Sequence, residues 1–266
     1  MHMLTVREIQ SKKRKVPIVM LTAHDCISAK ICEEVGVDLI LVGDSLAMTV
    51  LGYDSTIPVT VDEMLVFVKA VRRGASRSFI IADMPFMSYQ ISVEEALRNA
   101  GRFVKEAGAN AVKLEGASDL VLEAIDRMLD AGIQVMGHIG LTPQSSVFVE
   151  GYKVKGRSVD EARALLAQAK ALEEAGCFAL VLECVPEPLG ADIADAVDIP
   201  VIGIGAGRFC DGQVLVFSDV VGLYTRMLPK FVRRYADGYE LMRQAAAQYV
   251  EEVRQGSFPG EENVYK

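Results

Sequence analysis

Six ionisable residues of this sequence stand at or near the ends of apolar runs, and their types suit proton transfer beside a divalent cation. Asp44 follows Leu39-Ile40-Leu41-Val42-Gly43, and Asp83 follows Phe79-Ile80-Ile81-Ala82. A lone carboxylate in such surroundings is expensive to keep charged and tends to take up a proton. Two that converge stay ionised if a cation lies between them, and all-oxygen ligation favours Mg²⁺ over zinc. The competing reading is that each Asp caps the next helix. Glu183 follows Ala179-Leu180-Val181-Leu182. Poor hydration there would lift its pKa toward that of a general base; the alternative is a salt bridge at a barrel rim. Lys113 and Glu115 share strand parity and face one side. Facing an interior, they would meet an anionic substrate and orient a metal-bound water, or close on each other as an ion pair. His138, between Gly137 and Ile139, is a proton relay, a substrate donor or a hydrogen-bonded core histidine.

A repeat reveals the elements that must position these groups. An acid, one residue and a glycine recur at Glu34-Val35-Gly36, Glu106-Ala107-Gly108, Asp130-Ala131-Gly132 and Glu174-Ala175-Gly176, each followed by an apolar strand. Glycine just past a helix adopts the left-handed cap and returns the chain to the sheet, so four copies predict βαβ units. The spacing predicts strands at 16–21, 37–42, 78–82, 111–115, 133–138, 178–183, 200–204 and 213–217. Helices are expected near 25–35, 60–73, 92–107, 118–131, 158–175 and 187–197. Eight strands in this rhythm predict an α/β fold, a closed (β/α)8 TIM barrel. An open doubly wound sheet would show G-x-G-x-x-G after the first strand, where the chain instead reads Leu21-Thr22-Ala23-His24-Asp25. Barrel sites lie at the C-terminal ends of strands, where the six residues fall, while few charges fall at strand starts. Gly203-Ile204-Gly205-Ala206-Gly207 follows the seventh strand, a place where small ligands often meet backbone. Residues 1–266 read as one barrel domain, with 229–266 as a helical C-terminal extension.

Composition sets limits. A formal charge of −8 argues against a nucleic-acid partner. No apolar run approaches the length of a membrane-spanning helix and the N-terminus carries no signal-peptide core, so a cytoplasmic protein with no membrane partner is expected. Lys12-Lys13-Arg14-Lys15 reads as a solvated loop. The five cysteines show no CxxC spacing and read as reduced; Cys184 adjoins the expected base.

At these residues the sequence closely resembles the ketopantoate (3-methyl-2-oxobutanoate) hydroxymethyltransferase family of the phosphoenolpyruvate/pyruvate barrel superfamily. The stretches include Val42-Gly43-Asp44-Ser45-Leu46, Ala82-Asp83-Met84-Pro85-Phe86 and Val112-Lys113-Leu114-Glu115-Gly116. They continue through Gly137-His138-Ile139-Gly140-Leu141-Thr142-Pro143-Gln144, Gly151-Tyr152-Lys153-Val154-Lys155-Gly156-Arg157 and Leu182-Glu183-Cys184-Val185-Pro186. Nine such motifs run in order over roughly 1–235. The resemblance implies a (β/α)8 barrel in pantothenate synthesis that moves a one-carbon unit from 5,10-methylenetetrahydrofolate, a co-substrate, to 3-methyl-2-oxobutanoate. The products are 2-dehydropantoate and tetrahydrofolate. It implies Mg²⁺ on Asp44 and Asp83, with Glu115 in the outer shell, and Glu183 as the base. Ser45, Asp83, Lys113 and His138 would contact the oxo acid. It also implies a homodecamer, with C-terminal helices that can swap between subunits. The family's usual Tyr is His24 here, and a usual Gly is Ala47. Isocitrate-lyase and phosphoenolpyruvate-mutase relatives share the paired aspartates, but their Lys-Lys-Cys-Gly-like loop is absent. A non-catalytic ligand-binding barrel is the reading from outside enzymology.

Overall fold

The computed structural model describes residues 3–146, 153–226 and 228–266. Eight parallel strands close into a barrel in sequence order: β1 (Ile18–Thr22), β2 (Leu39–Val42), β3 (Phe79–Asp83), β4 (Ala111–Glu115), β5 (Gln134–Gly140), β6 (Ala179–Glu183), β7 (Val201–Ile204) and β8 (Gly212–Leu215). β8 pairs back onto β1, with Met20 opposite Val214. The expected eight-stranded barrel is therefore the fold. The last strand stops at Leu215, and Phe217 begins a short helix, Phe217–Val220, instead of ending the strand.

Long helices join most successive strands, as the glycine repeat predicts. The glycines of all four repeats take positive φ, between 76° and 94°. Several helices open with reciprocal caps, such as Thr60 with Glu63 and Ser158 with Glu161, which satisfy backbone donors at each start. None of the described helices is long and apolar enough to cross a membrane.

The barrel interior is graded along β3 to β6. Inward positions near the strand starts are apolar: Leu39, Phe79, Ile81, Ala111, Met136, Ala179, Val181 and Ile202 form one buried cluster. Side chains alternate in a strand, so the next inward position after Ile81 is Asp83, after Ala111 comes Lys113, after Met136 His138, and after Val181 Glu183. The interior thus changes from hydrocarbon to charge within one inward step.

Two features at the N-terminal end differ from expectation. Residues Val6–Ser11 form a helix, capped by Thr5 and Glu8, whose Ile9 is fully buried in the interior cluster. Apolar Leu4 and Val6 pack against the same cluster. The basic run is solvated only in part: Arg14 and Lys15 are exposed, but Lys12 and Lys13 are held by acids. Lys12 pairs with Asp38. Lys13 Nζ lies 2.7 Å from Asp211 Oδ2 and also donates to the Ala194 carbonyl. Asp211 in turn accepts from Arg14 N and Val201 N. The first half of the run is held because it meets Asp38 and Asp211, the acids at the starts of β2 and β8.

The chain divides into two compact units, residues 1–216 and 217–266. The second contains helix Gly238–Gln255, which ends in a left-handed cap at Gly256. Leu241 and Met242 on it are 70% and 63% exposed.

Candidate active site

The six expected residues come together at the C-terminal mouth of the barrel. The Asp44 backbone N–H donates to Asp83 Oδ2 at 3.2 Å. Lys113 Nζ lies 2.9 Å from Asp83 Oδ1 and 3.9 Å from Glu115 Oε1, and its side chain is only 3% exposed. His138 Nδ1 is 2.8 Å from the same Nζ, and His138 Nε2 is 3.4 Å from Glu183 Oε2. Parity explains the convergence, since all the strand-borne members occupy inward positions above the apolar layer. Asp44 arrives differently, two residues past β2, before helix Leu46–Thr49. It does not cap that helix; Ser45 occupies the N-cap, without a side-chain bond. Ala47 sits inside the helix, where no positive φ is needed.

The electrostatics follow from one buried ammonium facing four carboxyl groups. Burial works against the charge of Lys113, but Asp83, Glu115 and Asp44 outweigh it and raise its pKa. Lys113 is thus a fixed cation. Burial and the Asp83 charge push Asp44 up to about 7, against the opposing pull of Lys113 and Gln144. Burial, with Asp44, Asp83 and Glu183 close by, lifts Glu115 well above the usual carboxylate range. Burial alone raises Glu183 to about 7, and Lys113 limits the rise. That value suits a group that must hold and release a proton near neutrality.

His138 is neutral, because burial and then Lys113 push its pKa well down. Its tautomer follows from its partners. Nε2 lies 2.9 Å from the Leu141 carbonyl oxygen, which can only accept, so Nε2 carries the hydrogen. Nδ1 then accepts from Lys113. Both ring nitrogens are engaged, so His138 is a hydrogen-bonded bridge between Lys113 and the vicinity of Glu183.

Backbone geometry also shapes the base. Gly140 has φ +95°, and a Cβ there would lie 2.2 Å from the Glu183 carbonyl oxygen. The next residue, Cys184, has φ +48°, unusual for a residue with a side chain. Burial and the Glu183 charge push its thiol up to about 12, so it stays protonated. His24 is partly buried, 3.5 Å from Asp25 Oδ2, with its pKa lowered chiefly by burial. In the glycine loop after β7, a Cβ at Gly207 would meet Glu187, and the Ala206 carbonyl crowds Gly190. Protein atoms therefore occupy those close approaches. Gly151 and Tyr152 lie outside the described residues. A surface cleft of about 490 Å³, lined by residues including Val59, Phe86, Met87 and Arg102, contains none of the six.

Two residues escaped the sequence reading. Gln144 is 1% exposed; its side-chain amide donates to Asp44 Oδ2 and to the Met84 carbonyl, each at 2.9 Å. Its backbone N–H donates to Glu115 Oε2 at 3.1 Å. The Tyr89 hydroxyl donates to Gln144 Oε1 at 2.7 Å and accepts from the Glu115 N–H at 3.1 Å. Gln144 stands on the short helix Pro143–Ser146, where no periodic pattern marks it.

The residues fit a hard divalent cation. The donors are all oxygen, the acids outnumber the ammonium, and buried Asp83 Oδ1 and Glu115 Oε1 lack an aligned hydrogen bond. The 2.9 Å approach of Lys113 to Asp83 Oδ1 is thus an ion pair rather than a directed bond. Among the described residues, no three His, Cys, Asp or Glu side chains form a complete metal cage. An ion here would need water or substrate as further ligands, as Mg²⁺ commonly does.

Comparison with known proteins places this geometry in a family. The sequence profile described as ketopantoate hydroxymethyltransferase matches residues 3–261. The chain is 56% identical over 266 residues to a 3-methyl-2-oxobutanoate hydroxymethyltransferase of Carboxydothermus hydrogenoformans, covering 100% of this chain and 96% of that protein. An enzyme of the same name from Pseudothermotoga lettingae is 54% identical over 263 residues, with 99% of each chain covered. Among solved structures, phosphonopyruvate hydrolase in complex with oxalate and Mg²⁺ shares the fold at a TM-score of 0.60 and 12% identity, covering 99% of this chain and 92% of that one. 2,3-Dimethylmalate lyase does so at 0.58 and 14%, covering 98% and 91%.

Proposed function

Since this chain belongs to the ketopantoate hydroxymethyltransferase family, we propose that it transfers a hydroxymethyl group from 5,10-methylenetetrahydrofolate to 3-methyl-2-oxobutanoate. The products are 2-dehydropantoate and tetrahydrofolate, and the reaction serves pantothenate synthesis. The observation that carries the chemistry is the buried set of Asp44, Asp83, Glu115 and Glu183 around the single Lys113 ammonium.

Asp44 and Asp83 would hold Mg²⁺, with Glu115 in its outer shell. The bound ion supplies Lewis-acid stabilisation of negative charge developing on the keto oxygen. Lys113 faces the substrate as a permanent cation and pairs with its anionic character. Ser45, next to Asp44 in the chain, and Asp83 would contact the oxo acid as well. Glu183 takes the proton from the carbon beside the ketone, and that carbon bonds to the one-carbon unit as its bonds to the folate nitrogens break. One water supplies the hydroxyl oxygen of the product and the protons of the two nitrogens, and the proton held by Glu183 goes to the new hydroxyl. His138, neutral and with Nε2 protonated, keeps Lys113 in place and borders the base. The substrate carboxylate adds negative charge to a site already rich in acids, and this favours the cation further.

The same reading includes self-association, supported by the exposed Leu241 and Met242 on helix Gly238–Gln255. It also includes a cytoplasmic location, small-molecule substrates, and no nucleic-acid or membrane partner. The direct test is tetrahydrofolate release with 3-methyl-2-oxobutanoate, measured with and without Mg²⁺. Release should require both the oxo acid and the ion. No release with both present would refute the assignment. Mass in solution tests the assembly, and a monomer at assay concentration would rule it out.

A further inference from the structure

The four carboxyl groups of the site do not take up their orientations unaided. Asp44 Oδ2 is held by the Gln144 amide, whereas Asp44 Oδ1 has no hydrogen bond among the described residues. The direction of the Gln144 amide is itself determined. Both hydrogens on Nε2 are spent, on Asp44 and on the Met84 carbonyl. The opposite atom, Oε1, receives the Tyr89 hydroxyl at 2.7 Å and, more weakly, the Gln90 side-chain amide at 3.4 Å. The Glu115 N–H can only donate, so the hydroxyl accepts there, and its single hydrogen goes to Oε1, which can only accept. The loop closes when the Gln144 backbone N–H reaches Glu115 Oε2. A flipped amide would set Oε1 against the Asp44 carboxylate and the Met84 carbonyl, leaving all three acceptors without a donor.

We propose that Gln144 is a positioning residue for the cation site, locked by Tyr89 so that its amide orients Asp44 and leaves Oδ1 as the oxygen offered to the ion. This rests on the reading that Asp44 and Asp83 bind a divalent cation. Gln144 touches no reacting atom and acts through Asp44. Its backbone contact with Glu115 gives the same short segment a hold on the outer-shell acid. Tyr89, from the loop after β3, thereby links the acid of β4 to the one that follows β2.

The test uses Mn²⁺ alone, without substrate, titrated into the full-length protein and followed by the electron paramagnetic resonance of the free ion. Gln144→Met keeps the volume but removes the donors, and should weaken Mn²⁺ binding about 10- to 100-fold, the usual cost of losing such a supporting contact. Tyr89→Phe touches neither Asp44 nor any charge, and should weaken it about 2- to 10-fold, the weight of one hydrogen bond. In the Gln144→Met background, Tyr89→Phe should weaken binding less than it does in the wild type, because the part of its effect that passes through the amide is already lost, while its contact with the Glu115 N–H remains. Unchanged Mn²⁺ affinity in both single variants, with only the melting temperature lowered, would reduce the pair to a structural role and overturn the proposal. Equal weakening by Tyr89→Phe in both backgrounds would overturn the coupling. If Gln144→Met does not fold, Tyr89→Phe decides alone, since unchanged affinity there defeats the proposal. Wild-type protein that binds no Mn²⁺ overturns the cation reading itself, a failure that shows before any variant is made.

Discussion

His138 Nε2 lies 3.4 Å from Glu183 Oε2 while its hydrogen is directed at the Leu141 carbonyl oxygen, 2.9 Å away. The imidazole thus borders the base without binding it firmly, and its firm bonds run to Lys113 and to backbone. His138→Ala should therefore cost stability, as Lys113 and the Leu141 carbonyl each lose a buried partner. A loss of about 1–3 kcal/mol is expected for each group left unpaired, measured by urea denaturation without metal. Unchanged stability would show that the ring bonds carry no weight.

Glu183→Gln should slow exchange of the proton beside the ketone of 3-methyl-2-oxobutanoate with D₂O by about 10²- to 10⁴-fold, with divalent-ion binding intact. In the wild type, kcat/KM should rise with pH through about 7, where the free-enzyme carboxyl loses its proton. Undiminished exchange in the variant would remove Glu183 from the role of base.

Asp44 and Glu183 make the metal-free protein sensitive to pH. Both are pushed up to about 7 in the folded state, above their ordinary carboxylate values. The folded protein then binds protons that the unfolded chain has released, so their contribution to stability is lost as pH rises from about 4 to about 7. A cation that binds the ionised acids reverses that loss and releases protons. Mg²⁺ should accordingly raise Tm more at pH 8 than at pH 6, and Asp44→Asn should reduce the difference. Equal increments at both pH values would contradict the linkage.

Gly140→Ala should disturb the base from a distance. The added Cβ would sit 2.2 Å from the Glu183 carbonyl oxygen at a φ of +95°. A loss of at least about 1–3 kcal/mol is expected, together with a fall in kcat. Cys184→Gly, at φ +48°, should leave stability within about 1 kcal/mol, as relief of strain offsets added chain entropy. Scanning calorimetry on the two variants checks both.

Lys13→Met offers the opposite profile. It breaks a mostly buried pair with Asp211 at the far end of the barrel, and should cost about 3 kcal/mol or more. Turnover under conditions where the variant stays folded should match the wild type. A fall in kcat there would mean that the two ends of the barrel are coupled.

Much of this was legible in the sequence because strands bury one parity and barrels gather their strand ends. Asp83, Lys113, Glu115, His138 and Glu183 could be read as one group for that reason alone. Gln144 and Tyr89 could not, since one stands on a four-residue helix and the other in a loop, and the partners of both are set by three-dimensional proximity. The N-terminal helix had a readable signal in Thr5 and Glu8, three residues apart as a capping box requires. The hold on Lys13 was missed because the groups that make it, Ala194 and Asp211, stand over 180 residues away in sequence. Only the closed barrel brings them near.

The change from hydrocarbon to charge within one inward step also guards the fold against misassembly. A strand that slips by two residues keeps its inward and outward faces, so hydrophobic pattern alone would scarcely detect the error. Here such a slip would drive Asp83 down to the level of Ile81, or Lys113 to that of Ala111, among groups with no counter-charge. Stranding one ion there costs several kcal/mol, a large part of a domain's whole stability. The groups proposed to hold the ion and to face the substrate therefore also proofread the pairing of the strands that carry them.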